Sequence, residues 1–162
     1  MIIAPRDFRD EELFHTKEEL EAAGNEVIIA STTTNIATGM LGRTVFPELT
    51  IDEVIVDDYD AIVFIGGIGS SIYFHDKKAH EIAREAYIKE KVIGAICIAP
   101  STLANAGILR EKKATCYPSE GNNLKSKGAV YTGKSVEKDG KIITADGPNS
   151  ARDFGREIAK LL

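Results

Sequence analysis

Residues 91–107 read KVIGAICIAPSTLANAG, and this stretch decides the fold. Its first part, Val92–Ile96, is short, apolar and rich in β-branched residues, which is typical of a strand buried on both faces. Pro100 suits the first turn of a helix, and Gly107 suits the position just after a helix ends. Cys97 is therefore predicted to lie in a sharp turn between a buried strand and a helix.

The turn around Cys97 has small residues where a tight bend needs them. Ala95 and Ala99 stand two positions before and after the cysteine, which matches a nucleophile elbow with Cys for Ser and Ala for Gly. A thiol at the N-terminus of a helix faces unpaired N–H groups, so we expect its pKa to be lowered. A lone cysteine in an apolar run is otherwise typical of a buried, inert residue. The proline and the two alanines favour a reactive Cys97.

Gly66 and Gly67 follow a second apolar run, at residues 61–65. They either form only a tight turn or allow backbone N–H groups to reach a developing oxyanion, with the N–H of Ile98 as a further donor. The loop does not match the G-x-G-x-x-G pattern, because Ile72 stands at the sixth position from Gly67. This mismatch argues against a dinucleotide site.

Apolar runs alternate with amphipathic segments along the whole chain, which predicts an α/β fold with a parallel sheet covered on both faces. Sites in such sheets form at the carboxyl ends of strands, where both the cysteine and the glycine pair fall. The first strand is short for a central one, so we expect the natural start to lie a few residues upstream. The predicted helices are 10–23, 77–90, 101–106, 119–127 and 150–162; the predicted strands are 1–5, 27–30, 61–65, 92–96, 114–117, 130–131, 136–137 and 142–144, with a hairpin or edge strands in 39–49.

Length and composition exclude several classes of protein. The 162 residues suit one domain, 1–162, and the net charge of −5 argues against nucleic acid or an anionic membrane as a partner. No apolar run is long enough for a membrane span or a signal peptide. Two cysteines are too few for a disulfide framework, which favours a cytoplasmic location. No cluster has metal-ligand spacing, and no cofactor is predicted.

The sequence around Cys97 resembles the elbow of the DJ-1/PfpI superfamily, the ThiJ/PfpI-like proteins, whose fold is similar to class I glutamine amidotransferase domains. Other segments agree in order and spacing over essentially the whole chain. The segments that carry the resemblance are FRDEEL (8–13), AIVFIGG (61–67), GAICIAPSTLANAGIL (94–109), KATCYP (113–118) and ITADGP (143–148).

The resemblance implies a flavodoxin-like, mostly parallel sheet with the elbow at the end of a central strand. It implies Cys97 as nucleophile, and Glu12 as a carboxyl held protonated beside the sulfur. Without the resemblance, Glu12 is typical of a solvated residue in a charged first turn. Tyr117 is either a core aromatic or a neighbour of Cys97, and Cys116 is expected to be packed in the core. His75 could approach the site, although a surface position is typical of a histidine near a helix cap.

Two departures from the PfpI-type pattern bear on function. Ile98 stands where those proteins have a histidine after the nucleophile, and Ser71 stands where they carry a glutamate lent by a neighbouring subunit. The site is therefore more similar to family members with the cysteine and the glutamate but no adjacent histidine, and this resemblance implies a cofactor-free enzyme acting on small reactive carbonyls, as glyoxalase or deglycase. The alternatives are an intracellular cysteine peptidase acting on peptides, or a non-enzymatic redox sensor or chaperone using Cys97. The resemblance also implies a homodimer or higher homo-oligomer.

Overall fold

The computed structural model describes residues 1–162 and contains five α-helices and eleven short strands. No helix is long and apolar enough to cross a membrane. The helices are α1 (Asp10–Ala22), α2 (Lys77–Ile88), α3 (Pro100–Asn105), α4 (Gly121–Ser126) and α5 (Ala151–Ala159). The strands are β1 (Arg6–Phe8), β2 (Ala30–Ser31), β3 (Ala37–Gly39), β4 (Thr44–Val45), β5 (Leu49–Thr50), β6 (Ala61–Phe64), β7 (Val92–Ile96), β8 (Lys113–Ala114), β9 (Val130–Tyr131), β10 (Val136–Asp139) and β11 (Ile142–Ala145).

The main sheet places the strand before Cys97 at its centre. Its order is β10-β11-β7-β6, with β11, β7 and β6 parallel and β10 antiparallel at one edge. Ile2 extends the sheet beyond β6 through parallel bridges to Phe64 and Ala30, next to the parallel pair β2 and β5. All five residues of β7 are buried, as expected for an apolar strand with neighbours on both sides.

Two apolar layers cover the faces of this sheet. Side chains alternate along a strand, so Ile93 and Ile96 belong to opposite layers. Cys97 follows the end of β7 and packs in the same layer as Ile96. The layer that contains Cys97 is closed by buried side chains of α1 and α5, including Leu13 and Phe154. The sheet with helices on both faces confirms the predicted α/β, flavodoxin-like fold class.

Several predicted strands are shorter in the structure because side chains replace ladder partners. Of residues 27–30, only Ala30 lies in a strand, since the N–H of Ile29 donates to Glu48 Oε2 at 2.7 Å. Of residues 114–117, only Ala114 lies in a strand, because the N–H of Thr115 donates to Thr144 Oγ1 at 2.9 Å. The pattern of apolar residues in a strand does not show that a distant side chain will accept its backbone hydrogen bonds.

The N-terminal region also differs from the prediction. Within residues 1–5 only Ile2 forms bridges, and β1 belongs to a separate three-stranded sheet with the β3–β4 hairpin. That hairpin begins at Ala37, two residues before the predicted start. Strands β7 and β9 have the predicted bounds. The other predicted elements are present with ends shifted by one or more residues, and the last helix ends at Ala159.

Candidate active site

Cys97 lies in a strained backbone conformation directly after β7. Its φ angle is +64°, in the left-handed region that side chains other than glycine rarely adopt. The backbone is held on both sides, because the Cys97 N–H donates to the carbonyl of Ala145 at 2.9 Å and the N–H of Tyr117 donates to the Cys97 carbonyl at 2.8 Å. These two hydrogen bonds hold Cys97 in an unfavourable backbone conformation. Backbone strain of this kind is common at functional sites.

Glu12 is fully buried in the first turn of α1 and faces the same turn. Its Oε2 accepts a hydrogen bond from the N–H of Gly66 at 3.0 Å, whereas its Oε1 is buried without a hydrogen-bond partner. A Cβ atom added to Gly66 would lie 2.5 Å from Cys97 Cβ and 2.6 Å from Glu12 Oε2. The absence of a side chain at Gly66 therefore lets the carboxyl and the cysteine approach each other.

The surroundings of the pair raise both pKa values. Burial raises the pKa of Glu12 from 4.5 to about 8, against the opposing effects of the neighbouring Cys97 thiol and the N–H of Gly66. Burial and the charge of Glu12 raise the pKa of Cys97 to about 12, although the N–H groups of Gly67 and Ile98 favour the thiolate. Two groups so coupled titrate as a pair.

The direction of the Cys97 shift differs from the sequence expectation of a lowered pKa. Helix α3 begins only at Pro100 and has six residues, so Cys97 lies three positions before its start. Desolvation and a neighbouring carboxylate both disfavour a second negative charge, and here they outweigh the backbone donors. The thiolate therefore depends on Glu12 holding or accepting a proton.

The two glycines have different roles. The sequence makes the N–H of Gly66 a candidate donor to an oxyanion. In the structure this N–H donates to Glu12 instead, so it does not face an open oxyanion position. The N–H groups of Gly67 and Ile98 are the donors near the sulfur. Gly67 has φ +96°, and a Cβ there would lie 2.4 Å from the backbone nitrogen of Arg9, so only glycine fits this turn.

The other predicted neighbours lie in different surroundings. The side chain of Tyr117 is 48% exposed and makes no hydrogen bond, so only its backbone is seen to touch Cys97. His75 is exposed, and no contact joins it to the cysteine. Cys116 is fully buried in the apolar layer on the opposite face, as predicted. No group of three or more His, Cys, Asp or Glu side chains is placed to bind a metal ion.

Sequence reasoning missed two residues beside Glu12. Arg9 precedes α1, and its N–H donates to the carbonyl of Gly66 at 2.9 Å. Asp10 is buried, and its carboxylate accepts the N–H groups of Leu41 and Arg43 from the β3–β4 hairpin. The crowding of charged residues at the start of α1 was the available signal, but it is equally typical of a solvated first turn.

A cysteine on a strained strand-to-helix turn, next to a buried carboxyl, defines a class of α/β proteins with a nucleophile elbow. The family model described as the DJ-1/PfpI family matches residues 1–161. The chain belongs to the DJ-1/PfpI family.

Individual relatives agree with this membership. The chain is 48% identical to an uncharacterized protein of Methanocaldococcus jannaschii, over 100% of this chain and 80% of that protein. It is 33% identical to Deglycase PfpI of Pyrococcus furiosus, over 100% of this chain and 98% of the relative. A crystal structure of a ThiJ/PfpI domain protein from Brachyspira murdochii superposes with a TM-score of 0.96 at 31% identity, covering 99% of this chain and 92% of the other.

Proposed function

We propose that this protein is a cofactor-free enzyme that acts on small reactive carbonyls, as a glyoxalase or deglycase, with Cys97 as nucleophile and Glu12 as acid and base. One observation carries the proposal. Glu12 is a fully buried carboxyl beside the cysteine, with one oxygen free of hydrogen bonds and a pKa raised to about 8. A group with a pKa near the working pH exchanges protons efficiently in both directions.

The first step is addition of sulfur to an aldehyde. Glu12 takes the proton of the thiol while Sγ forms a bond to the aldehyde carbon of a 2-oxoaldehyde. The aldehyde oxygen gains the electron pair and takes the proton back from Glu12, so it becomes the hydroxyl of a hemithioacetal and Glu12 is again a carboxylate. The N–H groups of Gly67 and Ile98, which lie near the sulfur, would stabilise the developing oxyanion.

The second step moves a proton between adjacent carbons. Glu12 removes the proton from the former aldehyde carbon, which gives an enediolate, and returns it to the neighbouring carbonyl carbon. The hydroxyl proton passes from the first oxygen to the second, so the hemithioacetal becomes a 2-hydroxyacyl thioester. Water then hydrolyses the thioester, which releases the 2-hydroxy acid and restores the Cys97 thiol. The sum is a 2-oxoaldehyde plus water giving a 2-hydroxy acid, so no external oxidant or cofactor is needed.

The alternative of a peptidase has less support from the site. Peptide hydrolysis must protonate an amine leaving group, usually by a histidine. The residue after the nucleophile is Ile98, and the hydroxyl of Ser71 donates to the carbonyl of Ile68. The Nε2 of His80 is bonded to the carbonyl of Phe74. The name of the Pyrococcus furiosus relative, Deglycase PfpI, also favours carbonyl chemistry.

The experiment that tests the proposal follows conversion of methylglyoxal to lactate by the purified protein. We expect turnover by the wild type and none by Cys97→Ser, with Cys116→Ser as the matched control that keeps activity. Cleavage of a fluorogenic peptide that depends on Cys97, without aldehyde turnover, would instead establish a peptidase. If Cys97 is alkylated and oxidised readily but neither substrate reacts, the redox-sensor alternative is favoured.

The homodimer also stays a prediction. The loop after the glycine pair exposes two large apolar residues, Ile68 and Ile72, which supports a contact between subunits on this side of the molecule. Light scattering of the purified chain would measure the oligomeric state directly.

A further inference from the structure

Only one edge of the Arg9 guanidinium forms hydrogen bonds within the protein. Its Nε and Nη2 donate to the two carboxylate oxygens of Glu11, at 2.8 and 3.2 Å, and these are its only side-chain hydrogen bonds. This pairing occupies one edge of the planar group. The other edge, formed by Nη1 and the second hydrogen of Nη2, has no partner in the chain, and the side chain is 29% exposed.

Arg9 is tied to the glycine turn of the site by its backbone. Its N–H donates to the carbonyl of Gly66 at 2.9 Å, and the same nitrogen lies 2.4 Å from where a Cβ of Gly67 would be. It stands one helical turn before Glu12. After its hydrogen bond with Glu11, the charges of Glu12 and Cys97 are among the causes that raise the pKa of Arg9, so its cation lies within their electrostatic reach.

We propose that Arg9 makes this site selective for carbonyl compounds that also carry a carboxylate. The inference rests on the proposed function and names its substrate class: small 2-oxoaldehydes with an anionic tail. Two parallel N–H groups on the free edge of a guanidinium match the two oxygens of a carboxylate, and the interaction is charge-assisted at both ends. Arg9 is a substrate-binding residue in this scheme and takes no part in the proton transfers.

Glu11 sets how strongly Arg9 attracts an anion. Its carboxylate neutralises the nearer edge of the guanidinium and repels an approaching anionic tail. Removing that charge leaves the main chain of Arg9 beside the site, because its backbone N–H bonds to the carbonyl of Gly66, and frees the guanidinium to face an anion. The structure therefore predicts opposite effects for Arg9→Gln and Glu11→Gln on selectivity for anions.

The first measurement needs no turnover. Alkylation of Cys97 by iodoacetate, which is anionic, is compared with alkylation by iodoacetamide, which is neutral and nearly the same size. In each reaction the thiolate forms a C–S bond and iodide leaves, so the ratio of the two rates cancels any change in thiolate fraction. Peptide mass spectrometry reports the rates at Cys97, with glutathione as the reference for intrinsic reactivity.

We expect Arg9→Gln to lower the iodoacetate-to-iodoacetamide ratio about three- to tenfold, and Glu11→Gln to raise it. Arg6→Gln is the matched control, because Arg6 is an exposed arginine three positions earlier with no ion pair. A ratio that is unchanged in Arg9→Gln, or lowered equally in Arg6→Gln, would overturn the inference.

The second measurement concerns the substrate. Turnover of 4,5-dioxopentanoate, a 2-oxoaldehyde with a carboxylate tail, is compared with turnover of its neutral methyl ester. We expect the wild type to prefer the acid through a lower KM, and Arg9→Gln to lose that preference because its KM for the acid rises. If both compounds react equally well in the wild type, the inference fails while the proposed function stands. If neither reacts, the proposed function fails, and the alkylation ratio still decides whether Arg9 attracts anions.

Discussion

The first turn of α1 carries two buried carboxyl groups with opposite hydrogen bonding. Asp10 and Glu12 are two residues apart, and each is almost inaccessible to water. Both oxygens of Asp10 accept backbone N–H groups of the β3–β4 hairpin, from Leu41 at 2.7 Å and Arg43 at 2.9 Å. Only one oxygen of Glu12 accepts such a bond, and the other has no partner.

This difference separates a carboxyl that builds the fold from one suited to chemistry. Two backbone donors stabilise the carboxylate of Asp10 and attach the hairpin to the start of α1. With one donor and a nearby thiol, burial dominates at Glu12 and raises its pKa to about 8, so the group can gain or lose a proton near neutral pH. A glycine accompanies each carboxyl: Gly39 beside Asp10 and Gly66 beside Glu12.

The largest effect is expected for Glu12→Gln. The amide keeps the size of the side chain and an acceptor for Gly66, but it cannot transfer protons. We expect turnover of methylglyoxal to fall by about 10²–10⁴-fold while the folded structure is retained. Steady-state kinetics and circular dichroism check this, with Asp10→Asn as the control. Equal activity of Glu12→Gln and wild type would show that Glu12 is not the acid and base.

The two glycines sharpen the comparison. A Cβ at Gly66 would meet the backbone carbonyl of Ile96 as well as Cys97, so Gly66→Ala should displace the reacting groups and lower activity by about 10²-fold. A Cβ at Gly39 would lie 2.5 Å from the Asp10 carboxyl, so Gly39→Ala should cost about 1–3 kcal/mol of stability. Parallel urea titrations and activity assays separate the two outcomes. Reversal of the pattern would contradict the division of roles.

Asp10→Asn is expected to affect stability and not chemistry. The substitution replaces one acceptor oxygen by a donor and leaves a buried backbone N–H of the hairpin without its partner. The expected cost is about 1–3 kcal/mol in the free energy of unfolding. Chemical denaturation measures the cost, and kcat per folded molecule should stay at the wild-type value. A large loss of kcat in the folded protein would place Asp10 in the active site instead.

The last expected effect is a pH dependence of stability that is spread over several pH units. The folded pKa of Glu12, about 8, lies above its ordinary 4.5, so between these values the folded state binds a proton that the unfolded state lacks. Stability from this group is full below about pH 4.5 and is lost as the pH rises through about 8, by at most about 1.4 kcal/mol per pH unit. The wild type should therefore lose stability relative to Glu12→Gln from pH 5 to pH 8, so the unfolding free energy of the variant minus that of the wild type should increase. A constant difference would mean that Glu12 ionises normally.

Local sequence was sufficient for the main elements of the fold. The apolar run of β7, the proline and glycine that bound α3, and the helical pattern of α1 depend on neighbours close in the chain. The elbow and the glycine pair were found for the same reason, since each needs small residues at fixed spacing. Glu12 was singled out by resemblance to a family, because its local surroundings are those of an ordinary surface residue.

Tertiary structure alone decided the ionisation and the hydrogen bonding of the site. Nothing in the order of Gly66 and Gly67 shows that the first N–H is taken by Glu12 while the second faces the sulfur. The raised pKa of Cys97 likewise depends on a carboxyl 85 positions earlier in the chain. Backbone propensity is set by adjacent residues, whereas desolvation and charge coupling are set by whichever groups the packed sheet and helices bring together.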